Sequence, residues 1–76
     1  MGVMRILDQY GDTAVSWDVR DALSLRSAEA LFADLTSRRR VAFARARGAP
    51  ASETVLLKAF DPNAEEIIWV RPIQGG

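Results

Sequence analysis

A chain of 76 residues, 49% hydrophobic and 26% charged, is long enough for one domain with one apolar core and too short for two. Ten basic residues balance ten acidic ones, so net charge by itself points to neither nucleic acid nor an acidic partner. With no Cys and no His, there is no disulfide framework, no thiolate or imidazole metal site, no thiol nucleophile and no imidazole base.

Val3 to Leu7 is a short apolar run interrupted by Arg5 and ended by Asp8. Tyr10-Gly11-Asp12 carries turn chemistry. Met4 offers a second start, which would make Met1-Gly2-Val3 a dispensable extension. Thr13 to Val19 alternates, with Thr13, Val15, Trp17 and Val19 on one face and Ala14, Ser16 and Asp18 on the other. That period reads as a strand, so the chain opens with a hairpin.

The period then changes. Leu25, Ala28, Leu31, Phe32 and Leu35 form the single stripe of an amphipathic helix near residues 24–39. Ser24 is the N-cap expected, with Asp21 one turn earlier as the alternative. Glu29 towards the start and Arg38-Arg39-Arg40 at the end suit the helix dipole, so the Arg triplet reads first as helix-end solvation.

Three more strand-like segments follow. Val41 to Arg47 is separated from Thr54 to Phe60 by the loop Gly48-Ala49-Pro50-Ala51-Ser52, and Asp61-Pro62-Asn63-Ala64 breaks the chain again. Glu66 to Arg71 carries Ile67, Ile68, Trp69 and Val70, apolar on both faces, as an interior strand requires. The ββαβββ order predicts an α+β fold with a mixed sheet of four to five strands and one helix packed on one face. Residues 1–72 then make a single domain, with the first and last strands parallel at its centre. Residues 73–76 extend beyond it as a tail.

The sequence ends in Gly75-Gly76. At average glycine usage such a pair arises at two given positions in about one chain in 200, so it is read as a signal. Without Cβ atoms, such a tail can thread a narrow channel and present a bare carboxylate.

Element order, length and ending resemble the ubiquitin-like β-grasp proteins. The last fourteen residues, from Asn63 through Glu65-Glu66-Ile67-Ile68-Trp69-Val70-Arg71-Pro72-Ile73-Gln74-Gly75-Gly76, are most similar to the small sulfur-carrier family of the molybdopterin synthase small-subunit type. That family ends in an acidic turn, a strand, a Pro-Pro pair, two residues and Gly-Gly. Arg71 replaces the first Pro and is more like the ubiquitin tail, and the hairpin from Val41 to Phe60 aligns with neither branch.

The resemblance implies a protein modifier or sulfur carrier rather than an enzyme, with no catalytic residue, no metal and no bound cofactor. An E1-like adenylating enzyme, using its own ATP and Mg²⁺, would activate the Gly76 carboxylate. A downstream acceptor protein or sulfur-transfer partner would then receive it. Gly75 and Gly76 form the activated end, and Arg71, Pro72 and Ile73 are the expected recognition contacts. Lys58 is the only lysine and hence the candidate conjugation acceptor on the chain itself.

The rival reading is a small non-catalytic interaction module of a larger assembly, of the defence, phage or toxin–antitoxin type. There Trp69, Phe43 or Trp17 would anchor a partner, although Trp17 and Trp69 read first as core. A nucleic-acid site on Arg38, Arg39, Arg40, Arg45 and Arg47 has no supporting motif. No apolar run reaches the length of a membrane span and no signal-peptide pattern is present, so a cytoplasmic protein without a membrane partner is expected.

Overall fold

The structure, a computed structural model, describes residues 1–8 and 11–71. Strand β1 (Gly2–Asp8) pairs antiparallel with β2 (Gly11–Trp17), in register from Gly2↔Trp17 to Asp8↔Gly11. Helix α1 (Ala22–Ser37) follows, then β3 (Val41–Arg45), a single 3₁₀ turn at Ala51–Glu53, β4 (Val55–Leu57) and β5 (Glu66–Val70).

The five strands form one mixed sheet in the order β2-β1-β5-β3-β4. β5 lies at its centre, parallel to β1 (Met4↔Ile67) and antiparallel to β3 (Phe43↔Ile68). With one helix on this sheet, the arrangement is α+β and consistent with a β-grasp fold. The position of β5 follows from its composition: only a strand paired on both edges and covered on one face finds partners for four consecutive apolar side chains.

The helix begins two residues before the expected start. Asp21, the alternative N-cap, holds the position, and its Oδ1 accepts from the amides of Leu23 (3.1 Å) and Ser24 (3.5 Å). Ser24 lies inside the first turn, where its hydroxyl accepts from Asp18 N at 3.0 Å and ties the incoming chain to the helix. The expected dipole pairing is corrected as well. Glu29 falls mid-helix, and neither end turn carries the charge foreseen.

The three arginines instead form the stop. Arg38 is the C-cap, Arg39 takes a left-handed φ of 63°, and Arg40 N reaches back to Leu35 O at 3.1 Å while Arg39 N bonds Thr36 O at 3.0 Å. These two bonds satisfy carbonyls that the end of the helix would leave without partners.

Ala28, Phe32 and Leu35 of α1 bury against Met4, Trp17, Ala42, Ile67 and Trp69, with Leu25 and Leu31 half-buried beside them. Phe32 meets Trp69 edge-on at 4.7 Å and Phe60 at 5.8 Å. Trp17 lies edge-on to Phe60 at 5.2 Å and donates its Nε1 proton to Pro62 O at 3.1 Å. Both tryptophans are therefore core, as expected, rather than partner anchors. Val19 lies past the end of β2 and is exposed, because the chain has already turned towards the helix.

Gly2 and Val3 belong to β1, and Val3 N donates to Glu65 O at 3.1 Å. Of the Met1-Gly2-Val3 segment, Gly2 and Val3 are thus part of the sheet rather than a dispensable extension, while Met1 is exposed outside it.

Candidate functional site

In a strand, successive side chains point to opposite faces. The face under α1 takes Met4, Trp17, Ala42, Ile67 and Trp69. The register places Leu7, Val41, Phe43, Leu56, Ile68 and Val70 on the other face, which no helix among the described residues covers. Phe43 sits between Ile68 and Leu56, and Val41 beside Val70. Leu7 and Leu56 are 41% and 51% exposed, and the other four are half-buried.

One end of this strip is closed by an ion cluster. Glu66, nearly buried on β5, accepts from Arg5 Nε at 2.9 Å through Oε2 and from Arg45 Nε at 2.5 Å through Oε1. The hydrogen bonds from Arg45 and then Arg5 outweigh the cost of burial and hold the Glu66 carboxyl below its usual range. Two cations on one anion leave a net positive charge beside an apolar surface.

The other end of the strip is where β5 stops, at Val70. Arg71 follows and is exposed. Pro72, Ile73, Gly75 and Gly76 lie outside the described residues, as does the 73–76 tail as a whole. The fold thus brings Arg71 to the end of the strip. Lys58 lies elsewhere, just past the end of β4, exposed and on the rim of a groove.

That groove, of about 640 Å³, runs between α1 and residues 58–62. Its floor is Leu25, Phe32, Ala33, Phe60 and Pro62, and Glu29, Thr36 and Ser37 join Lys58 at its edge. Thr36 and Ser37 donate their hydroxyl protons to Phe32 O (2.8 Å) and Asp34 O (2.6 Å), so only their lone pairs face outward.

Sequence reasoning named Phe43 but missed the strip and the Arg5–Glu66–Arg45 cluster. The signal was present: Arg5 interrupts an apolar run, and Glu66, Ile68 and Val70 alternate along the last strand. Among the described residues no group of three Asp or Glu side chains could hold a metal ion, and no helix is long and apolar enough to cross a membrane. No family model, curated protein or solved structure matches the chain.

Proposed function

We propose that the chain is a ubiquitin-like modifier or sulfur carrier of the small sulfur-carrier type, acting through the carboxylate of Gly76. One observation carries the reading. The central strand of the sheet ends beside an uncovered apolar strip, and the sequence continues from there as Arg71-Pro72-Ile73-Gln74-Gly75-Gly76. An adenylating enzyme gripping Ile68, Phe43 and Leu56 would hold the body while the tail enters its active site.

The chain is then a substrate, not a catalyst. The Gly76 carboxylate attacks the α-phosphorus of ATP supplied with Mg²⁺ by the partner, and pyrophosphate leaves. A carboxylate offers only oxide as leaving group, whereas the acyl-adenylate offers AMP. A thiol, a hydrosulfide or an amine displaces AMP to give a thioester, a thiocarboxylate or an amide. Gly75 keeps the approach narrow, Pro72 stiffens the exit from the strand, and Arg71 and Ile73 supply one charged and one apolar contact. A single lysine, Lys58, favours one-step transfer over chain building. On this reading the encounter takes place in the cytoplasm, where ATP is available.

The test is the intact mass of the protein after incubation with ATP and a candidate adenylating enzyme. The mass before incubation checks that Gly76 carries the free carboxylate. An adenylate, thiocarboxylate or conjugate that disappears on deletion of Gly76 is the expected result. Full biological activity of the deletion variant would defeat this reading. The uncovered strip would then favour the second one, a non-catalytic module docked in a defence, phage or toxin–antitoxin assembly.

A further inference from the structure

Arg39 is the only non-glycine residue among those described with a left-handed backbone. It occupies the position after a helix C-cap where glycine is the usual residue, because a Cβ there crowds the following carbonyl. An arginine at this position costs stability that a glycine would not, and its side chain is exposed. A strained residue holding a charge outward on a tight stop is a reason to ask what the charge meets.

Its surroundings are basic. Arg38 and Arg40 flank it, and Arg40 Nη1 is buried with no hydrogen-bond partner among the described residues. The pairing Ala42↔Leu57 sets Lys58 level with Val41, the residue after Arg40, and Lys58 shares the groove edge with Ser37 at the end of α1. Four cations therefore gather where the helix stops and β3 starts. On the same side stand Asp34, 3.3 Å from Arg38 Nε, and Glu29 at the groove. Four positive charges against two negative ones leave the patch positive, although the whole chain is neutral.

We propose that Arg38, Arg39, Arg40 and Lys58 form a docking patch for a cluster of carboxylates on a partner protein. This patch borders the strip at Val41, and it does not depend on any role of Gly76. Guanidinium forks bind carboxylate and phosphate alike, so extent decides between protein and nucleic acid. The patch is bounded by Asp34 and Glu29 along the helix. A polyphosphate strand leaving the patch meets these acidic residues, whereas a local group of carboxylates ends where the cations end. No fully exposed aromatic ring among the described residues offers a stacking platform.

The test uses the full chain and two fluorescent probes of equal length, octa-glutamate and octa-thymidylate, read by anisotropy at low salt and near 0.2 M salt. Octa-glutamate should bind at low salt, more tightly than octa-thymidylate, and lose most of its affinity at the higher salt. Arg39→Gly should weaken octa-glutamate binding by about two- to fivefold while unfolding at no lower denaturant concentration than the parent. Arg39→Lys, which keeps charge and strain together, should restore it. No octa-glutamate binding at low salt, unchanged binding by Arg39→Gly, or failure of Arg39→Lys to restore it would overturn the proposal. So would octa-thymidylate binding as tightly as octa-glutamate, which would assign the patch to nucleic acid.

Discussion

The indole of Trp17 rests against the α-carbon of Gly2. A Cβ built on Gly2 would fall 2.3 Å from Trp17 Cζ2 and 2.6 Å from Ala64 O. The two residues are register partners at the open end of the β1–β2 hairpin, so the first strand can lie flat only where it has no side chain.

Gly2→Ala should therefore destabilise the protein although alanine suits a strand better than glycine does. Overpacking of this kind costs about 1–3 kcal/mol, more than the roughly 0.5–1 kcal/mol that alanine returns in backbone entropy. Urea denaturation checks it. A variant as stable as the parent would mean that Trp17 can move aside.

Arg39→Gly should act in the opposite sense. Relief of the left-handed strain is worth about 1–2 kcal/mol, and the added freedom of glycine in the unfolded chain returns about half of that. A net gain of up to about 1 kcal/mol is expected in the same measurement, with no gain for Arg39→Ala.

Phe32→Ala should cost roughly 3–5 kcal/mol, since the ring fills the space between Trp69 and Phe60 under the middle of the helix. A loss well below 2 kcal/mol would mean that the helix closes over the gap.

Glu66 links stability to acid. Its carboxyl is held below the unfolded value near 4.5, so its contribution is present in full above that pH and is lost as pH falls through the lower folded value. Glu66→Gln should lower the urea midpoint at pH 7 and narrow the difference between pH 7 and pH 3. The parent and the variant should draw together in acid. A constant gap across that range would show that the cluster works by shape, not by charge.

Leu56→Asp tests the uncovered strip. Leu56 is half exposed on a three-residue edge strand, so the substitution should change stability by about 0.5 kcal/mol or less. Transfer of the Gly76 carboxylate by an adenylating enzyme should nevertheless fall at least tenfold, as expected when an unpaired charge replaces an apolar contact in a desolvated interface. Unchanged transfer would move the docking surface elsewhere.

Much of the fold was legible because its signals are periodic. The helical stripe from Leu25 to Leu35 and the alternation from Thr13 to Trp17 survive in the structure with shifted ends. The shift at the helix start has a local cause, since Asp21 and Ser24 both carry capping oxygens and only backbone geometry chooses between them. The site was harder to read. Alternation divides β5 into Ile67 and Trp69 against Ile68 and Val70, but both sets are apolar, and nothing along the chain says which set the helix covers. The Arg5–Glu66–Arg45 cluster joins segments far apart in sequence: the break that Arg5 makes in an apolar run marks a charge, but nothing local pairs it with Glu66. Arg39 was legible as a charge but not as a strained stop, because its role appears only once the helix is known to end at Ser37.

The pairing of the first strand with the last also sets when the protein can fold. Arg5 and Glu66 are 61 residues apart, and the β1–β2 and β3–β4 hairpins share no edge until β5 slides between them. During synthesis the chain must emerge through β5 before the sheet can close, and until then two half-sheets stand with open edges. The last strand of this sheet to be made is its keystone, so a chain cut short before Glu66 would expose sticky hairpins instead of a smaller version of the same domain.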